Sequence, residues 1–335
     1  MYKRIIKGVC MFLISMFLTT CVSCTKNKEV EISFPEKIQE LKSYKLEATL
    51  QTIFQNGTKE CDVIVYFEAP SNYRVELINK QVNEKQIMIR NDKGVFVILP
   101  SINKTFKINS EWPNSSSQPY LLHSISKDIL KSENISKNVE NGKTTIELDT
   151  KLFSNSDNVK EKIVFDNKSK MPTDIYIYRN NNELFNYVKI NKIEQNIETQ
   201  KELFIVDNTI TSSRLDFISS SVEFDRSITY PVYCPYNTKL TQEVLSGGAS
   251  DKSAVMKFSG DYSFTLLEAY VISSEALKTE YFTGDIYIMN GSFGLVANNT
   301  LTFYCAGMEY TLASNTTSFE ELLMVAESLG TSDIK

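Results

Sequence analysis

The chain has 335 residues, with 36 Lys+Arg against 41 Asp+Glu and a net charge of −5. Hydrophobic residues make up 42% and aromatic residues 11%, enough for a packed core and against disorder. The single histidine, His123, excludes a multi-histidine metal site, and mild acidity with no long basic run argues against a nucleic-acid partner.

Lys3, Arg4 and Lys7 precede an apolar, uncharged run from Gly8 to Val22. That run is short for a membrane-spanning helix, which needs about 20 residues. It reads as a secretory signal over residues 1–23. Cys21-Val22-Ser23-Cys24 is similar to a bacterial lipobox, with small Ser23 ahead of the modified cysteine. Cys24 is the expected lipidation site. The competing frame ends at Cys21, and an ordinary signal peptide with incidental cysteines is the plain alternative. Two acyl chains would anchor the protein to the outer face of the cell membrane. Removing residues 1–23 takes away three basic residues and no acidic ones, which leaves a net charge of −8. Residues 24–31 are expected to be a polar tether.

Cys61, Cys234 and Cys305 remain beside Cys24. Buried apolar thiols are expected. A Cys234–Cys305 disulfide is the alternative. No CxxC pair outside the signal region suggests zinc, and no cofactor is indicated.

The body reads as antiparallel β-structure with a few helices. Ser33-Phe34-Pro35-Glu36 is a helix start with a capping box, and the helix is expected to end by Ser43. From Tyr44 the apolar period becomes two: Tyr44, Leu46, Ala48, Leu50, Thr52 and Phe54 share one strand face. Asn56-Gly57 is a hairpin turn, and Cys61, Val63, Val65 and Phe67 alternate on the return strand. Further strands begin at Tyr73, Ile87, Val95 and Phe106, separated by turns at Asn91–Gly94 and Pro100–Asn103. After Trp112-Pro113, the residues Leu121, Leu122, Ile125, Ile129 and Leu130 recur at helical spacing. His123 lies off that stripe and is expected at the rim. Strands follow near 144–148, 159–165, 173–178 and 185–193, with a last strand at 196–207.

Residues 208–227 are Ser-rich and read as a linker. The segment 228–335 is expected to form a smaller α+β domain. Its predicted strands lie at 254–258, 263–272, 285–289 and 300–304. Ser318-Phe319-Glu320-Glu321 starts a closing helix with a capping box.

Residues 32–207 carry an ordered series of motifs. An opening helix ends in Leu41-Lys42-Ser43-Tyr44. A long hairpin follows, then Ala69-Pro70-Ser71-Asn72-Tyr73-Arg74-Val75, then Asn91-Asp92-Lys93-Gly94 leading to the strand that ends at Pro100. This series resembles the LolA-like superfamily of lipoprotein carriers. Ser110–Pro113 running into Gln118–Leu122 is similar to the germination (GerS-type) and sporulation lipoproteins of Gram-positive spore formers. The two-domain layout is also similar to RseB-like regulators. The resemblance implies a mainly β, α+β fold: an open antiparallel β-barrel with covering helices. It implies a non-catalytic envelope lipoprotein of the cell or spore that binds a partner and supports sporulation, cortex modification and germination. A peptidoglycan amidase is the partner it suggests. The alternatives it carries are an acyl-chain or lipoprotein carrier that uses the concave sheet, and a regulator of envelope-stress signalling.

Candidate partner or ligand contacts are Trp112, Tyr120, Leu121, Leu122 and Arg74. Trp112 is either an interface anchor or a plug in the open end of the sheet. Arg74 either pairs with a carboxylate or is a solvated strand residue. Leu46, Leu50, Val63 and Val65 either line a ligand hollow or are core. No phosphate loop or nucleophile elbow appears, so no enzyme is expected.

Overall fold

The computed structural model describes residues 29–54, 57–113, 118–151, 158–179, 181–212, 227–248, 252–271, 278–289 and 291–329. The expected signal segment, Cys24 and the start of the expected tether lie outside them.

Helix α1 spans Glu29–Glu40, so it takes up the end of the expected tether and starts before Ser33. Pro35 therefore sits inside the helix and not in its first turn. A capping box marks where a helix can begin; it does not stop an earlier turn from extending it. Phe34, Ile38 and Leu41 are buried, one apolar face at i, i+4 and i+7.

Six strands follow as a meander: β1 Ser43–Phe54, β2 Gly57–Glu68, β3 Asn72–Asn79, β4 Glu84–Asn91, β5 Gly94–Leu99 and β6 Lys104–Asn109. β1 and β2 stay in register from Ser43↔Glu68 to Phe54↔Gly57, so Gly57, expected in the turn, is the first residue of β2. At the β4–β5 turn, Asn91 Oδ1 accepts from Lys93 N at 2.9 Å, the side-chain turn that favours Asn there.

Helix α2 spans Leu122–Lys131, and α1 packs against it. Then come β7 Ile135–Glu140, β8 Lys143–Lys151, β9 Asn158–Asp166, β10 Met171–Tyr178 and β11 Leu184–Gln195. The strand expected at 196–207 is absent: Lys201–Phe204 is a 3-10 turn, and residues 206–212 form helix α3. The remainder of the expected linker, 213–226, lies outside the described residues.

The last part contains β12 Lys239–Ser246, β13 Ser253–Ser259, β14 Phe264–Tyr270, β15 Lys278–Thr283, β16 Asp285–Met289, β17 Ser292–Ala297, β18 Thr300–Cys305 and β19 Met308–Ala313. Helix α4, Phe319–Ser328, closes the chain. Its N-cap is Ser318, whose side chain accepts from Glu321 N at 3.2 Å, as the capping box predicts.

Two sheets result. The first has twelve strands in the order β15-β6-β5-β4-β3-β2-β1-β11-β10-β9-β8-β7. Its ends do not meet, so the sheet is open, with α1 and α2 covering one face. The second has seven strands in the order β12-β13-β14-β19-β18-β17-β16. The chain class is mainly β.

β15 belongs by sequence to the second unit but joins the first sheet, parallel to β6 from Lys278↔Lys104 to Thr283↔Asn109. β16 begins two residues later in the other sheet. Gly284 makes the crossing: a Cβ there would lie 2.1 Å from the Val296 carbonyl oxygen. One hydrophobic cluster runs through both sheets, from Phe34 and Val63 to Phe293 and Leu323.

Candidate functional site

The concave face of the first sheet is where a ligand hollow was expected. Among the described residues it is packed with the protein's own side chains. At the end where β1 starts, Tyr44 stacks on Phe67 with ring centres 5.2 Å apart, and Phe67 lies 4.9 Å from Tyr73. Trp112 meets Tyr73 edge-on at 5.6 Å and is fully buried. It is core, not an exposed anchor.

His123 is half-buried, not exposed. Its ring lies 4.3 Å from Phe67, 5.9 Å from Tyr44 and 5.8 Å from Tyr73. Burial among aromatic rings lowers its pKa to about 4. Helical spacing placed it beside the apolar stripe; the curved sheet wraps far enough round α2 to cover that flank as well.

Tyr120, Leu121 and Leu122 are buried at the start of α2. Tyr120 donates to Gln118 Oε1 at 2.5 Å. In this fold none of Trp112, Tyr120, Leu121 and Leu122 presents a surface to a partner. Leu46, Leu50, Val63 and Val65 are core beneath the helices.

The far half of the concave face is occupied by the second unit. Gln86 on β4 is fully buried. Its Oε1 accepts from Phe293 N at 2.9 Å, and its Nε2 donates to Tyr304 O at 2.8 Å. Glu84 accepts from Ala306 N at 3.0 Å and from Ser101 Oγ at 2.7 Å. Burial nevertheless raises its pKa. Lys59 donates to the carbonyl oxygens of Glu327 at 3.0 Å and Leu329 at 2.8 Å, which caps the end of α4 from β2. Neither Glu84 nor Gln86 stood out in the sequence. Their alternation with buried Met88 was the available signal.

Arg74 is buried on the opposite face. Its Nε meets Glu76 Oε1 at 2.6 Å, and its NH1 donates to Leu203 O at 3.1 Å and Thr209 Oγ1 at 2.7 Å. Asn91 adds a bond to Phe204 O at 2.9 Å. Together they strap residues 201–209 across the outside of β3 and β4. Ile210 and Val206 pack there on Ile87, Ile89 and Ile98. Arg74 thus pairs with a carboxylate and holds a segment of its own chain.

Cys61, Cys234 and Cys305 are free thiols. Burial pushes Cys61 and Cys305 up to about 12, which makes them unreactive. Among the described residues no three His, Cys, Asp or Glu gather as a metal site, and no helix is long and apolar enough to cross a membrane.

The most exposed strand is β12, accessible along its whole length. Leu240, Val244 and Leu245 are 39–55% exposed on it. Among the described residues its outer edge has no strand partner, and neither has the outer edge of β7.

Comparison with known families decides the assignment. Residues 3–204 match the family model described as "Sporulation protein YdcC-like". The chain belongs to that family. It is 27% identical over 331 residues to sporulation protein YdcC of Bacillus subtilis (strain 168), covering 98% of both chains. Among solved structures it is similar to the Pseudomonas aeruginosa MucA/MucB complex, at 9% identity over 89% of this chain and 98% of that one, TM-score 0.33. It is also similar to a LolA superfamily protein from Nitrosomonas europaea, at 10% identity over 53% of this chain and 98% of that one, TM-score 0.31. Scores at this level carry no functional inference.

Proposed function

We propose that this sporulation-family protein is a non-catalytic lipoprotein, anchored through Cys24 to the outer face of the cell membrane, that binds a protein partner. In a spore former that partner serves cortex modification and germination, and a peptidoglycan amidase fits the role. The observation that carries the proposal is the filled concave face. Among the described residues, Trp112, α1 and α2 occupy one end of it and β16–β18 the other, and the exposed surface they leave is outside. The edge of β12, unpaired among the described residues and with Leu240, Val244 and Leu245 exposed, suits strand addition by a partner chain.

Tagged protein recovered from sporulating cells, with proteins and lipids both identified by mass spectrometry, tests this. Stoichiometric recovery of a wall enzyme without lipid is expected. Recovery of lipid or acylated proteins and no wall enzyme would make the protein a carrier and overturn the proposal. Anchoring is tested separately: Cys24→Ala should move the protein from the membrane fraction to the medium.

A further inference from the structure

A cleft of about 440 Å³ lies at one end of the second sheet, where β13 and β19 finish and β14 and β18 start. That volume falls in the range of small-ligand sites, roughly 300–1,000 Å³. The strand registers set Lys257, Thr265, Ala313 and Thr300 opposite one another, one residue on each of four neighbouring strands. Directly opposed residues share a sheet face, so the four make a row about 14 Å long. All four line the cleft. Ala313 offers only a methyl group between the two threonines, so the row dips at that point.

The walls are loops fixed to one another. Asn299 belongs to the two-residue turn between β17 and β18, and Asn315 to the loop after β19; both line the cleft and are exposed. The Asn299 carbonyl oxygen accepts from Ser314 N at 3.1 Å. Ser263 O, just before β14, accepts from Ser314 Oγ at 2.6 Å, Thr316 Oγ1 at 3.2 Å and Thr317 Oγ1 at 3.0 Å. Three loops are thereby tied together around the cleft, which is preformed, as ligand sites usually are. Phe258 and Phe264, stacked with ring centres 4.5 Å apart, also border it.

Hydroxyls and primary amides each donate and accept hydrogen bonds. Thr265, Thr300, Asn299 and Asn315 therefore offer mixed donors and acceptors along one cleft, which is what the hydroxyls of a sugar require. Among the described residues that line it there is no Asp, Glu, His or Cys, so neither a metal ion nor an amine is matched. β14, β19 and β18 each have a neighbouring strand on both sides, so no backbone edge is open here to a peptide strand. Lys257 is exposed at the end of the row and is the one charged side chain among the described lining residues. We propose that this cleft binds an oligosaccharide that carries a carboxylate. Sugar hydroxyls meet the two threonines and two asparagines, a ring sits over Ala313, and the carboxylate meets the Lys257 ammonium. The site lies away from the outer edge of β12 and does not rest on the partner proposed above.

Calorimetric titration of the purified full-length chain tests the site with two probes. One is the disaccharide of N-acetylglucosamine and N-acetylmuramic acid; the other is di-N-acetylchitobiose, which lacks the lactyl carboxylate. Saturable binding of both is expected, with the acidic disaccharide about tenfold tighter. Lys257→Met should bring the acidic disaccharide to the level of chitobiose and leave chitobiose unchanged. Ala313→Leu fills the dip in the row and should weaken both at least about tenfold, with its fold checked by circular dichroism. Asn315→Ala, on an exposed loop, provides a second variant that should also weaken both. No saturable heat with either sugar, equal affinity for the two, or binding undiminished by both Ala313→Leu and Asn315→Ala would overturn the proposal. So would lactate binding as tightly as the acidic disaccharide, since Lys257 would then be taking a free anion without the sugar.

Discussion

Gln86 and Phe293 lie 207 residues apart, and the buried side chain of the first accepts the backbone N–H of the second at 2.9 Å. The same side chain donates to Tyr304 O. One amide thus uses both its ends to fasten the second sheet inside the first. Replacing it with Leu keeps much of the volume but leaves the Phe293 N–H buried without a partner. A buried orphan donor costs about 1–3 kcal/mol. Gln86→Leu should lower stability by that amount in urea unfolding, whereas Gln242→Leu, on the exposed β12, should change it little.

Arg74 makes a different prediction, because it holds a strap and not the core. Its ion pair with Glu76 is largely buried, and Glu76 retains only Lys85, at 3.6 Å, once Arg74 is gone. Breaking a buried pair by removing one partner costs on the order of 3 kcal/mol. Arg74→Met should speed amide hydrogen exchange first at residues 201–210, before the strands of the first sheet respond. Uniform acceleration over the whole sheet would show that the strap is part of the global fold.

His123 sets an acid limit. Its folded pKa is depressed to about 4, against about 6.5 in an unfolded chain. Between these values the unfolded state binds a proton that the folded state does not. Stability is therefore lost as pH falls from about 6.5 to 4, by up to about 3 kcal/mol. In His123→Phe that part of the acid loss should vanish from a plot of melting temperature against pH.

Glu327 acts in the opposite direction. It is buried on α4, and desolvation raises its pKa to about 8, against an ordinary value of 4.5. Here the folded state keeps a proton that the unfolded state releases. Stability should fall as pH rises from about 4.5 to 8, by a few kcal/mol at most, since Arg179 and Lys59 lie near enough to oppose the shift. Glu327→Gln should flatten that slope and raise the melting temperature at pH 8 more than at pH 5.

Local signals in the sequence anticipated much of the first sheet. Alternation from Tyr44 through Phe67 gave both long strands their inward faces, although Gly57, read as part of the turn, begins the second strand. Asn91–Gly94 and Ser318–Glu321 acted through contacts within three residues, which is why they were legible. Arg74 was noticed, but its partners Leu203 and Thr209 lie on a segment read as a strand and a linker. β7, β12, β15, β17 and β19 were missed. β12 buries neither face, so it carries no apolar period. β15 is a short edge strand whose neighbours come from a distant part of the chain.

By itself the sequence determined the mainly β class, the order of the first six strands, the covering helix α2 and the family, because periodicity, turns and caps are local properties. Tertiary structure alone decided what lies in the concave face. Whether Trp112 faces solvent or core, and whether His123 is a rim residue or the centre of an aromatic cluster, depends on how far the sheet curves round α2. Whether the hollow is empty depends on β16–β18 entering it, through contacts such as Gln86–Phe293 that join residues some two hundred positions apart. Pairings at such separation leave no periodic trace in either segment, since each strand alternates in the same way whatever it is packed against.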